Sequence, residues 1–336
     1  MSDSSPLPRL VTASPHLGSG HSTHRIMWTV VATLVPILAT SVVFFGPSAL
    51  LVVGAATAGS LVTEKVFGPR RSLLDGSGMI TGLLLGLTLP AGLPMWMAFV
   101  GGAFSIGFGK LVFGGLGQNV FNPALLGRAF LQAAFPVAMT TWPTTQATWW
   151  QLRGDNLALP LMSARAPDVV TGATPLGLLK FEGETTALRD LMLGTTGGSL
   201  GETAAAVILI CGLYLALRNY LNWRIPASIF LSVFLFVGVL HLLSPTQYPE
   251  PAFMLFSGGL MLGAWYMATD LVTSPVTNLG CWIFGIGIGM LVVIIRLWGG
   301  LAEGVMYAIL LMNALVPFIN RATQPRVFGT ARRTTS

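Results

Sequence analysis

Ten stretches of this chain are apolar enough, and nearly all long enough, to cross a lipid bilayer: residues 26–46, 48–63, 76–90, 93–113, 122–138, 203–222, 226–244, 252–269, 277–297 and 301–319. A helix needs about 20 apolar residues to cross the hydrocarbon, and fewer where it is broken. Backbone polar groups in lipid must find their partners inside the protein, so such runs read as helices. Only 9% of the 336 residues are charged, against about 25% in a soluble domain. The third, fifth and eighth runs are short or interrupted by Gly and Pro. Interrupted helices at membrane depth survive only where they face protein or a cavity. The predicted fold is an all-α polytopic membrane protein with about ten transmembrane helices.

The net charge is +6, but the basic residues lie in short clusters between apolar runs. That excludes a nucleic-acid-binding face and makes the clusters orientation signals instead. With a cytoplasmic N-terminus, twelve Lys and Arg residues fall inside, and five (Arg153, Arg165, Lys180, Arg189 and Arg296) fall outside. Both termini are therefore expected in the cytoplasm of a bacterial inner-membrane protein. The divisions are a cytoplasmic tail (1–25), a first membrane unit (26–138), an extracytoplasmic loop (139–202), a second membrane unit (203–320) and a cytoplasmic tail (321–336). The loop has too few periodic apolar runs for its own core and is expected to pack on the helices as an irregular cap. Cys211 and Cys281 lie inside apolar runs without metal-ligand spacing and read as small packing residues.

The chain also repeats itself. "FSIGFGKLV" (104–112) aligns with "FGIGIGMLV" (284–292), and "GGLGQNVF" (114–121) with "GGLAEGVM" (299–306). A looser match joins "GSGMITGLLLGLTLP" (76–90) to "FSGGLMLGAWYMATDLVTSP" (256–275). Five spans per unit turn the second unit upside down, so the expectation is two inverted five-helix repeats. Such architectures put their sites where broken helices meet near the midplane.

Within the fifth run, "FNPALLGRAF" (121–130) contains Asn-Pro-Ala. A water channel would need a second such triplet, and the second unit has "MYAIL" at the equivalent place. Asn122 is a good helix N-cap and Pro123 a good first helical residue, so a helix should start there. Arg128 is a charge inside a span, which marks a functional site or a salt bridge. Asp75 and Asp270 each flank a broken span. No Walker loop, serine–histidine–acid set or metal-ligand spacing is visible.

The longest polar interval holds "PDVVTGATPLGLLK" (167–180). Asp168, Thr171, Gly172, Ala173 and Thr174 fit Asp-x-x-(Ser/Thr)-Gly-Ala-(Ser/Thr), which looks like the motif at which a flavin transferase attaches FMN. A phosphoester needs an alcohol, and Thr174 supplies one. Gly172 and Ala173 let a transferase approach the backbone closely. Together with "SLLDGSGMITGLLLGLTLP" (72–90), "GGLGQNVFNPALLGRAFL" (114–131) and "MATDLVTSPVT" (267–277), this stretch resembles the RnfD/NqrB family. Those are membrane subunits of Rnf electron-transport complexes and of the sodium-pumping NADH:quinone reductase, and the length fits the RnfD branch.

The resemblance implies covalent FMN on Thr174 and a second flavin, riboflavin, held without a covalent bond in the membrane domain. It points to Asn119, Asn122 and Pro123 for that second site, with Arg128, Asp75, Thr81 and Asp270 as weaker candidates. It also implies a translocase subunit, inactive alone, in a complex passing electrons between ferredoxin and NAD with Na⁺ or H⁺ movement. Ferredoxin and NAD chemistry would belong to the partner subunits. The rival expectation is a secondary transporter or channel with inverted repeats and no redox role. Trp142, Trp149 and Trp150 are candidates for stacking on a flavin or for anchoring at the membrane interface.

Overall fold

A computed structural model describes residues 22–69, 72–143, 149–160, 172–202 and 204–325. Asp168 and Thr171 lie outside these residues. Among the described residues the chain is helical, with an isolated bridge between Pro90 and Ser199.

Five helices are long and apolar enough to cross a membrane: α1 (Thr23–Phe45), α2 (Pro47–Phe67), α10 (Arg224–Leu243), α13 (Asn278–Trp298) and α14 (Val305–Thr323). Shorter apolar helices are α3 (Ser77–Leu87), α4 (Met95–Ile106) and α9 (Ala205–Leu217). The predicted interruptions are present. The fifth run divides at Phe135 into α5 (Pro123–Ala134) and α6 (Pro136–Thr140). The eighth divides into α11 (Pro251–Phe256) and α12 (Leu260–Leu262), which continues as a π-helical stretch, Gly263–Met267. The polar interval carries α7 (Pro175–Phe181) and α8 (Leu188–Leu193).

The long helices show apolar side chains outward as well as inward. Val35 and Val43 on α1, and Leu235, Val239 and Leu242 on α10, are exposed. A water-facing helix carries a polar outer face, so the outer medium for these is apolar. Inside, small residues bring backbones together, as is usual between membrane helices. On the α2–α4 seam the Ser60 hydroxyl donates to the Gly102 carbonyl at 3.2 Å. On the α10–α13 seam Ser228 lies against Gly285 and Ser232 against Gly289.

The described parts of the polar interval are fastened to the helices by hydrogen bonds. The Asn156 amide donates to the Ala91 and Leu93 carbonyls at 2.9 and 3.0 Å. Trp149 donates from Nε1 to Val42 at the end of α1, and stacks edge-on against Trp150. Lys180 on α7 reaches the far end of α13, where its ammonium donates to the carbonyls of Arg296, Gly299 and Leu301 at 3.3, 2.5 and 2.7 Å. A cation there satisfies unpaired helix-end carbonyls and opposes the negative end of the dipole. Partial burial pulls the Lys180 pKa below the ordinary lysine value.

Candidate functional site

Two cavities form where the broken helices meet, and α5 borders both. The outer one is an open cleft. Thr174 stands at it with Trp142, Arg128, Glu202 and Glu303. Thr174 caps α7: its hydroxyl oxygen accepts from the Gly177 N–H at 3.1 Å. The adjoining Pro175 and Leu176 are buried, while Thr174 is half-buried and Ala173 exposed. Gly172 donates to the Trp142 carbonyl at 2.9 Å, which ties the attachment motif to that tryptophan.

Two ion pairs place their acids, Glu202 and Glu303, at this cleft. Arg128 meets Glu202 at 2.9 Å. Arg296 meets Glu303 at 3.0 Å and also donates to the Met254 and Ser257 carbonyls at 2.7 and 3.0 Å. Those carbonyls belong to α11 and its end, where the chain breaks. Glu303 accepts in turn from the Gly259 N–H at 3.0 Å. Gly258 before it has φ +62°, a left-handed conformation that glycine adopts without the Cβ penalty.

The inner cavity is bordered by Asn119, Asn122, Pro123, Thr81 and Asp270. Asn122 caps α5 as its sequence predicts: Oδ1 accepts from the Ala124 and Leu125 N–H groups at 3.0 and 3.3 Å. Its Nδ2 donates to the Met267 carbonyl at 3.1 Å, joining α5 to the π-helical stretch. A π turn leaves carbonyls out of the regular ladder, and such turns gather at functional sites. Asp270 accepts from the Val272 N–H and the Thr273 hydroxyl, each at 3.2 Å. Trp265 and Tyr266 supply aromatic wall, and the buried Trp265 Nε1–H has no acceptor among the described residues.

Arg128 is not in this group; it borders the outer cleft, about 8 Å farther along α5 than Pro123 at 1.5 Å per residue. Asp75 stands behind the inner wall, where its carboxylate accepts from the Ser77 N–H and hydroxyl at 2.8 and 2.6 Å. Replacing Asn122 by alanine removes the cap, at about 1 kcal/mol, and strands the Met267 carbonyl, at about 1–3 kcal/mol. Thermal unfolding in detergent is expected to show that loss.

Two features escape a reading of the sequence. One is Lys110, which borders the inner cavity, paired to the fully buried Glu64 on α2. The other is the pair of acids, Glu202 and Glu303, that neutralise Arg128 and Arg296. The available signal is a count of charges within apolar runs.

Five helices long and apolar enough to cross a membrane, with two cavities at the broken helices, fit a polytopic α-helical membrane protein. The sequence profile of the NQR2, RnfD, RnfE family matches residues 10–329, and the chain belongs to that family. Its relatives include the D subunit of the proton-translocating ferredoxin:NAD(+) oxidoreductase complex of Clostridium ljungdahlii, 40% identical over 336 residues and covering 96% of each chain. The D subunit of the ion-translocating oxidoreductase complex of Stutzerimonas stutzeri is 42% identical over 330 residues, covering 92% of each. The D subunit of the Na(+)-translocating ferredoxin:NAD(+) oxidoreductase complex of Acetobacterium woodii is 40% identical over 331 residues, with 96% of each chain covered.

Proposed function

We propose that this chain is the flavin-carrying membrane subunit of an Rnf-type translocase, relaying electrons between ferredoxin and NAD within a complex that moves Na⁺ or H⁺. FMN is joined through its phosphate to Thr174 by a flavin transferase, and riboflavin occupies the inner cavity. Other subunits of the complex handle ferredoxin and NAD. The observation that carries this reading is that one helix, α5, borders both the Thr174 cleft and the cavity of Asn119 and Asn122. Pro123 and Gln132, which face the two sites, are about 14 Å apart along the helix axis.

The residues suit such ligands. The Thr174 oxygen accepts one N–H bond and keeps its own proton to give up on esterification, and the Gly172–Ala173 backbone leaves room around it. The orphaned Trp265 N–H and the aromatic wall suit a planar ring with hydrogen-bonding edges. Bound there, flavins supply reversible electron transfer, and the protein's part is to hold and tune them. Asn122 and Asn119 fix the wall of the inner site. Arg128 with Glu202 keeps the outer cleft polar without leaving an unpaired charge.

The finer architecture belongs to the same proposal: ten spans in two inverted repeats, both termini cytoplasmic in the inner membrane, and Thr174 on the periplasmic side. Support comes from matching partners in the two halves, since α4 packs on both α2 and α5 and α13 packs on both α10 and α14. The excess of Lys and Arg in the proposed cytoplasmic segments supports the orientation. Intact-mass spectrometry of the chain from a host with the transferase is expected to give the polypeptide plus one FMN less one water. The bare polypeptide mass from that host would return the transporter-like reading to first place.

A further inference from the structure

Two arginines stand at the turn where α9 ends and α10 begins, and the turn is firmly built. Asn219 has φ +55°, a left-handed conformation that asparagine tolerates. The Tyr220 N–H donates to the Leu215 carbonyl at 3.0 Å, and the Asn219 N–H to the Ala216 carbonyl at 2.9 Å. This pair of bonds is a usual way to close a helix. Tyr220 and Leu221 are buried, which sets the turn against the body of the protein. The Asn222 amide donates to Cys281 Sγ at 3.2 Å, and Trp223 meets Trp282 edge-on, so the start of α13 holds it as well.

The two arginines continue the outer faces of their helices. Ile210, Leu213, Tyr214 and Leu217 are exposed on α9 at helical spacing, and Arg218 follows Tyr214 by one turn. Leu231 and Leu235 are exposed on α10, and Arg224 lies two turns before Leu231 on the same strip. Each arginine therefore ends a lipid-facing strip, where hydrocarbon gives way to headgroups. Aromatic rings steady both: the Arg218 guanidinium lies 5.7 Å from the Tyr220 ring centroid and that of Arg224 5.2 Å from Trp223. The interior cations Lys110, Arg128 and Arg296 are each paired with a carboxylate; among the described residues, Arg218 and Arg224 are not. Arg224 also sits in the first turn of α10, at the positive end of the helix dipole, where a cation is disfavoured without an anion beside it.

We propose that the α9–α10 turn binds the phosphate of an anionic phospholipid, with Arg218 and Arg224 as its donors. The acyl chains lie along the exposed strips of the two helices. Trp223, half exposed, stands at the depth where tryptophan favours the interface. A zwitterionic headgroup carries its own cation and gains less from the pair. The inference needs only the lipid-facing strips of α9 and α10 and does not depend on a flavin.

The test uses the full chain in detergent, freed of lipid. Short-chain phosphatidylglycerol and phosphatidylcholine are the probes, and native mass spectrometry follows the tightest-bound lipid. Arg218→Gln/Arg224→Gln is expected to weaken phosphatidylglycerol binding about tenfold at low salt, with phosphatidylcholine binding unchanged. Arg218→Lys/Arg224→Lys keeps the charge and is expected to bind both lipids nearly as wild type does. Lys65→Gln/Arg321→Gln removes the same charge from the exposed ends of α2 and α14 and is expected to change little. A loss in the lysine pair as large as in the glutamine pair would assign the effect to packing of the turn. An equal loss in the Lys65/Arg321 control would assign it to overall charge. Either result overturns the inference, as does equal wild-type binding of the two lipids. Inorganic phosphate at the lipid's concentration is expected not to displace it; displacement would mark a site for soluble anions and overturn the lipid assignment. The glutamine pair is expected to show the same loss when the chain is purified with the other subunits of its complex. No loss there would give the turn to an acidic subunit face instead and overturn the inference.

Discussion

Thr174→Val, expressed beside a flavin transferase, is expected to yield a chain whose band on a denaturing gel has no flavin fluorescence, where the wild-type band glows. The expected loss is total, because a phosphoester cannot form without the alcohol. Valine keeps the branched shape and removes only the hydroxyl. The structural cost is the α7 cap, about 1 kcal/mol. The rest of α7 stays anchored through the buried Pro175 and Leu176 and through Lys180 on the α13 carbonyls. A dark band therefore reports chemistry rather than a lost fold. Thr174→Ser, which keeps both cap and alcohol, is expected to retain fluorescence. A bright Thr174→Val band would move the attachment to another residue.

Arg296→Met is expected to be the most destabilising of the single changes considered. Its guanidinium joins the end of α13 to the broken α11 segment through the Met254 and Ser257 carbonyls, and to Glu303 beyond. Removing one partner of a fully buried pair costs about 3–5 kcal/mol; the partial exposure of Glu303 lowers that figure, while two carbonyls are stranded as well. A large fall in melting temperature in detergent is the expected readout. Arg296→Met combined with Glu303→Gln should recover part of it, since the orphaned carboxylate is gone. Equal melting of wild type and Arg296→Met would show that these contacts do not stabilise the fold.

Local chemistry explains which parts of this molecule are legible from sequence. The α5 start is legible at Asn122-Pro123 because a cap and a first-turn proline act within three residues. The breaks in the fifth and eighth runs are legible because Gly and Pro interrupt apolar sequence there. Lys110 is hidden because it closes an apolar run and reads as a charge at a helix end. A π turn re-aims it inward, and its only local trace is the pair Gly107 and Gly109. Glu64 stands beside Lys65 near the end of α2 and reads the same way, yet Glu64 is fully buried and Lys65 exposed. Arg128 is visible as an intramembrane charge, but its partner Glu202 lies 74 residues on, and no periodicity links them. The grouping of Asn119, Asn122, Thr81 and Asp270 depends on packing between halves of the chain that no short window contains.

The Lys180 clamp makes the proposed outer electron carrier a passenger of α13. Lys180 ties the helix that follows Thr174 to the end of α13, while Asn156 and Trp149 hold other described parts of the loop. Any tilt of α13 about its serine–glycine contact with α10 would swing Thr174 with it and alter its spacing from the pocket under Asn122. Distance, which governs how readily an electron hops, would then be adjusted by a rigid lever rather than by a flexing tether.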